Sequence, residues 1–144
     1  MLFILLLAVS TAFAQLNLKI MSYNVRNGKG MDGVHNLQRV ADVINSAKVD
    51  IVVVQELDSM TNRSGKKYVL GEIAALTNMH PEYFPAIEFN GGKYGIGILS
   101  KKKPISVKGY NLPGREERRA ILVAEFNQFL FACNCAIIHT LKRR

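Results

Sequence analysis

The run Ile51-Val52-Val53-Val54 constrains this chain more than any other segment, because four consecutive β-branched aliphatics favour a strand, and one buried on both faces. A helix would restrict χ1 at each of these positions, and an exposed strand would alternate polar with apolar residues. Such a strand needs neighbours in its sheet and layers above and below it. The preceding residues supply one neighbour. Leu16 to Val25 (LNLKIMSYNV) alternates, with Leu16, Leu18, Ile20 and Ser22 on one face of a half-buried strand, and the turn-rich loop Asn27-Gly28-Lys29-Gly30-Met31-Asp32-Gly33 follows. Leu37, Val40, Ala41 and Ile44 then recur at helical spacing, which predicts an amphipathic helix over residues 35–46. Strand, helix, buried strand is the pattern of a crossover unit with two parallel strands.

Downstream the pattern changes. A second helix is expected over residues 68–77, and residues 81–89, 94–100, 105–112, 119–126 and 129–138 read as successive strands. Asn90-Gly91-Gly92 and Asn127-Gln128 supply hairpin turns, so this part should be antiparallel. The fold class is therefore mixed α+β, in one domain over residues 15–144, with no internal repeat, low-complexity tract or linker. Hydrophobic residues at 49% and charged residues at 21% support a packed core rather than a disordered chain. The net charge of +8 favours phosphates, nucleic acid or anionic surfaces as partners but names no reaction.

Residues 1–14 read as a signal segment. Leu2 to Val9 is an apolar run, and Ala12-Phe13-Ala14 is a small-x-small cleavage signal, so a secreted or periplasmic product is expected. The run is shorter than the roughly 20 residues of a membrane span, and no second one follows. Cys133 and Cys135 are too close along one strand for an ordinary disulfide and lack further ligands for zinc; they read as small residues of an apolar strand.

The candidate chemistry sits at the ends of the first two strands, where Asn24 closes Ser22-Tyr23-Asn24 and Glu56 closes Val52-Val53-Val54-Gln55-Glu56. Ligands gather beyond the carboxyl ends of parallel strands. A carboxylate directly after four buried aliphatics needs a cation or solvent, and one carboxylate with one amide suits a hard ion such as Mg²⁺. An exposed strand-end glutamate beside a turn asparagine is the plain alternative. Gly92-x-x-Gly95-x-Gly97 precedes a strand and is no dinucleotide fingerprint; Asn27-Gly28-Lys29-Gly30 lacks phosphate-loop spacing. Lys101-Lys102-Lys103 reads as a solvated hairpin flank and His35 and His80 as isolated surface or capping residues; Asn62-Arg63-Ser64 fits a short glycosylation pattern that is common by chance.

Five motifs in order carry a resemblance: Ile20-Met21-Ser22-Tyr23-Asn24-Val25-Arg26; Asp50 to Asp58 with Gln55-Glu56 inside it; Arg63-Ser64-Gly65; Gly92 to Ser100; and Glu116-Glu117-Arg118-Arg119-Ala120-Ile121. Together they resemble the endonuclease/exonuclease/phosphatase superfamily over roughly residues 17–126. The resemblance implies a DNase I-like four-layer α/β/β/α sandwich, with Glu56 binding a catalytic Mg²⁺ or Mn²⁺ and Asn24 beside the metal. It implies that Arg63 and Arg118 match basic positions able to contact a substrate phosphate, although pairing with Glu116 or Glu117 on the surface reads equally well.

The departures are as informative. The family's Thr-His, Asp-x-Asn, Gly-Asp-Phe-Asn and Asp-His motifs have no counterpart here. Where Thr-His is expected the chain reads Cys133-Asn134-Cys135-Ala136-Ile137-Ile138-His139-Thr140, with His139 and Thr140 in reverse order, so His139 is no candidate catalyst. The resemblance thus implies the N-terminal part of a secreted, metal-dependent phosphoester hydrolase (a phosphodiesterase, nuclease or phosphatase), with the C-terminal half missing, about the first of two sheets present, and no activity of its own. Its partners would be a phosphoester substrate, nucleic acid among them, and no protein partner is inferred. The other reading is a basic, noncatalytic polyanion-binding domain.

Overall fold

The computed structural model describes residues 17–113 and 118–127, and the backbone of residues 129–135. The signal segment expected over residues 1–14, together with His139 and Thr140, lies outside the described residues. Strand β1 (Ile20–Asn24) leads through a short 3₁₀ turn (Arg26–Gly28) to helix α1 (Leu37–Ala47), strand β2 (Ile51–Ser59) and helix α2 (Val69–Thr77). Strands β3 (His80–Phe89), β4 (Gly92–Ser100), β5 (Ser106–Leu112), β6 (Arg119–Phe126) and β7 (Phe129–Cys135) follow. The first sheet has the order β1-β2-β4-β3, with β1 and β2 parallel and the other pairs antiparallel. The second sheet, β5-β6-β7, is antiparallel.

β2 is central and buried on both faces, as its sequence requires. Val52, Val54 and Leu57 face Val40 and Ile44 of α1 and Val69, Leu70 and Ile73 of α2 in one core. Ile51 and Val53 join Ile96 and Ile98 of β4 in a second core, closed by Ala120, Leu122, Ala124 and Phe126 of β6. Two layers of apolar contact therefore hold helices, sheet and sheet together, and burying each large side chain contributes about 1.5–3 kcal/mol before entropy is charged.

Local chemistry sets the boundaries. Asn36 caps α1 by accepting the Arg39 N–H at 3.1 Å, and Lys48 and Asn78 end α1 and α2 in the left-handed region. Asn90 and Gly91 both have positive φ, 49° and 73°, in a two-residue turn that pairs Phe89 with Gly92. Gly109 of β5 leaves room for the Phe84 ring between the sheets, where a Cβ would collide with it.

Three expectations need correction. The second sheet is represented by three strands rather than lost, because Ala120, Leu122, Ala124 and Phe126 form an apolar stripe of period two that must be covered. In β1 the inward face is Met21 and Tyr23, packed toward the helices; Ile20 is 49% exposed, since β6 lies against β3 and β4 rather than over β1. Finally, β2 does not close at Glu56 but runs on to Ser59.

Candidate active site

A β-bulge creates the site. Val54 pairs with Gly97 and Leu57 with Gly95, so Gln55 and Glu56 together oppose Ile96. With strict alternation Glu56 would point at the helices and Leu57 away from them. The extra residue returns Leu57, with no exposed surface, to the helix-side core and leaves Glu56 half-buried outside it. Glu56 adopts φ 59°, a left-handed conformation costing about 1–2 kcal/mol for a residue with a Cβ. Such strain survives where the surroundings over-determine it.

β1 delivers Asn24 to the same place. Its Nδ2 donates to Glu56 Oε1 at 2.8 Å, and its Oδ1 accepts the Arg26 N–H at 3.0 Å. Both ends of the amide are thereby committed, and Asn24 orients the carboxylate. Glu56 Oε2 accepts no hydrogen bond from a described residue. The donor set is a carboxylate oxygen open to solvent, beside an amide already spent on aiming it. That set fits a hard divalent ion that retains most of its waters, with Glu56 as direct ligand and Asn24 as its support.

The next segment builds a second, drier cluster. Asp58 has no exposed surface and accepts from Arg63 twice, Nε to Oδ2 and Nη2 to Oδ1, both at 2.7 Å, while the Thr61 hydroxyl donates to Oδ2 at 2.8 Å. The Arg63 Cζ lies 4.4 Å from the centre of the Phe89 ring and 5.2 Å from that of Tyr94. Asn90 Oδ1 accepts the Arg63 backbone N–H at 2.8 Å. With its amide turned to the orientation that satisfies both neighbours, Asn27, in the loop after Asn24, donates to the Arg26 carbonyl at 2.7 Å and accepts from Arg63 Nη2 at 3.2 Å. Hydrogen bonding to Asp58 raises the Arg63 guanidinium above its ordinary range. Burial raises the Tyr94 phenol; Glu56 adds to the rise and Arg63 opposes it, so both clusters lie within electrostatic reach of one hydroxyl.

The structure thus brings Asn24 and Glu56 into contact and places Arg63 beside their loop, paired with Asp58, while Glu116 and Glu117 lie outside the described residues. Arg118 stands exposed at the entry to β6, and no described contact joins it to the other three. Asp58, Thr61, Asn27 and Tyr94 were not singled out from the sequence. Asp58 and Arg63 flank a short turn-rich segment, and that spacing was the available signal. Among the described residues no three His, Cys, Asp or Glu side chains gather as a ready metal cluster, and no helix is long and apolar enough to cross a membrane. A cavity of about 170 Å³, lined by Asp50, Ser100, Lys101 and Phe126 among others, opens at the opposite end of β2 and holds none of these site residues.

Comparison with known proteins fits this geometry. Residues 21–138 match the family described as Endonuclease/Exonuclease/phosphatase. Similar solved structures include an endonuclease/exonuclease/phosphatase from Beutenbergia cavernae, 19% identical with a TM-score of 0.59, covering 74% of this chain and 33% of that one. An endonuclease/exonuclease/phosphatase family protein from Leptotrichia buccalis is 10% identical with a TM-score of 0.61, covering 85% and 54% respectively. TDP2 from Caenorhabditis elegans is 19% identical with a TM-score of 0.54, covering 74% and 30%. The chain therefore spans between about a third and about half of these relatives' lengths. No curated protein matches the sequence.

Proposed function

The chain belongs to the endonuclease/exonuclease/phosphatase family, a superfamily of phosphoester hydrolases, and from that premise we propose that it carries the ion-holding part of a divalent-metal-dependent phosphoester hydrolase site. The observation that carries this reading is the 2.8 Å hydrogen bond from Asn24 Nδ2 to Glu56 Oε1 at a strained bulge. Nothing in the packing of β2 requires a glutamate in a left-handed conformation there. A glycine would fill that backbone position at lower cost.

Glu56 would hold Mg²⁺ or Mn²⁺ through its free oxygen, and Asn24 would keep the carboxylate aimed. Bound there, the ion would supply charge neutralisation and Lewis acidity toward a phosphoryl oxygen. The chain's own residues bind and orient. Asn24 fixes one carboxylate oxygen, and Arg63 offers a guanidinium to a phosphate. No His or Asp stands among the described contacts of Glu56 to take a proton from water, so general-base catalysis, worth about 10²- to 10⁴-fold, is missing from this part of the site. We accordingly assign the 144-residue chain no turnover of its own. The product is read as secreted or periplasmic, with nucleic acid among its candidate substrates.

The polyanion-binding reading is less well supported, because five ion pairs among the described residues neutralise Arg39, Arg63, Lys67, Lys93 and Lys101 locally. Titration with Mn²⁺, followed by water-proton relaxation, tests the proposal. The wild-type chain should bind weakly and Glu56→Gln at least about tenfold more weakly, the loss expected for one charge-assisted ligand. Equal affinities would sink the assignment. Hydrolysis of bis-p-nitrophenyl phosphate by the unextended chain, abolished in Glu56→Ala, would overturn the claim of no turnover.

A further inference from the structure

Asp58 is the only wholly buried carboxylate among the described residues, and all its hydrogen bonds come from within its own turn. A buried ion pair is rarely the most stable choice. Apolar residues of similar volume often do as well or better, so what such a pair adds is direction. Here the direction is set in every dimension. Asp58 takes Nε and Nη2 of Arg63, the Phe89 and Tyr94 rings lie against the guanidinium, and Asn27 accepts a second bond from Nη2. About a third of the Arg63 side chain (34%) nevertheless stays accessible, and Asn27 belongs to the loop that follows Asn24. The Tyr94 hydroxyl also interacts with the guanidinium, so the part of Arg63 left to solvent is a donor clamped on several sides, next to the loop that follows Asn24.

We propose that Asp58 is a positioning residue, which holds Arg63 so that the solvent-exposed part of its guanidinium binds an oxygen of a tetrahedral phosphate group seated beside Glu56. The inference rests on the functional reading above for where the phosphate sits. It adds that the oxyanion contact depends on a carboxylate which never touches the ligand. An arginine already paired contributes little net charge. Its value lies in fixed donor geometry, which an ammonium on a flexible stem cannot reproduce.

The test uses the full chain and two separate probes, inorganic phosphate followed by ³¹P NMR and Mn²⁺ followed by water-proton relaxation, well below the melting temperature of each variant. Asp58→Asn should weaken phosphate binding about tenfold while leaving Mn²⁺ affinity unchanged, and Asp58→Glu should recover part of the loss. Arg63→Lys, which keeps the charge and can still pair with Asp58, should lose phosphate as completely as Arg63→Gln. It also serves as the informative variant if Asp58→Asn does not fold. A folded Asp58→Asn chain with wild-type phosphate affinity, or wild-type affinity in Arg63→Lys, would overturn the proposal. So would failure of the wild-type chain to bind phosphate. Loss of the Mn²⁺ signal with phosphate binding intact would instead count against the metal reading, so the two failures are distinguishable.

Discussion

Strand β2 carries an aspartate–cation pair near each end, and the two differ in almost every physical respect. Asp50, just before the strand, accepts the Lys19 N–H at 3.0 Å and the Lys101 ammonium at 3.0 Å, with half of the lysine side chain (53%) in solvent. Asp58, near the other end, is fully desolvated and gripped by two coplanar bonds from an arginine lying on aromatic rings. The first arrangement ties a strand start to a neighbouring turn and tolerates many geometries. The second admits essentially one. Rigid geometry has been placed at the end of the strand that also holds the bulged Glu56, while the cavity at the Asp50 end has only a loose, solvated pair beside it.

The contrast can be broken most forcefully at Arg63. Arg63→Met strands a buried carboxylate and should cost about 3–5 kcal/mol in urea denaturation, whereas Asp50→Asn should cost less than about 1 kcal/mol. Comparable losses at the two ends would mean that burial does not distinguish the pairs. Packing around the bulge comes next. Gly95 faces Leu57 across the ladder, and a Cβ there would run into the Phe84 carbonyl, so Gly95→Ala should destabilise by about 1–3 kcal/mol and weaken Mn²⁺ binding through the displaced bulge. Smaller, and opposite in sign, is Glu56→Gly. Relief of the left-handed strain should raise stability by about 1 kcal/mol while abolishing ion binding, a combination that separates a functional residue from a structural one. A destabilised Glu56→Gly chain in thermal melts would contradict it.

The smallest effect sharpens the comparison in acid. Hydrogen bonds from Arg39 hold the Asp32 carboxyl at about 2, and the Lys19 N–H, then Lys101, lower that of Asp50. Each depressed carboxylate contributes stability that is fully present above the ordinary value of 3.8 and fades as pH falls through its folded-state value. The Asp32–Arg39 contact should therefore loosen between about pH 4 and pH 2, and the Asp50–Lys101 contact as pH falls below 3.8, visible as loss of slowed exchange at the Arg39 Nη–H groups and the Lys19 amide. Persistence of the Arg39 signal below pH 2 would show a pair stronger than its exposure allows.

Much of this architecture could be read from residue order. The β-branched run made β2 central, helical spacing placed α1, and Asn90-Gly91 marked the hairpin, because each signal is local. Asn24 and Glu56 were legible as candidates because polar groups after apolar strands stand out. The bulge was not, since it depends on which residue of β4 lies opposite, and that register is a property of two strands. For the same reason the alternation in β1 grouped Leu16, Leu18, Ile20 and Ser22 on one face without showing that the other face, Met21 and Tyr23, meets the helices. Alternation gives two faces but not which neighbour covers them. Arg63 was legible as a basic residue near the site, yet its partner was hidden because several carboxylates, Asp58, Glu116 and Glu117 among them, were within plausible reach along the chain.

The Asn90-Gly91 turn also orders events in time. A two-residue loop closes at low entropic cost, and hairpins form in about 1–10 μs, long before a parallel pair separated by a helix can meet. Phe89 and Tyr94, whose ring centres lie 5.7 Å apart, come together as soon as that hairpin closes. The aromatic floor is thus assembled early in folding, and the arginine clamp and the bulge dock onto it afterwards. Gly91→Ala should accordingly slow refolding by nearly its full equilibrium cost, with a φ-value near 1, while Arg63→Met should leave the refolding rate almost untouched and speed unfolding instead.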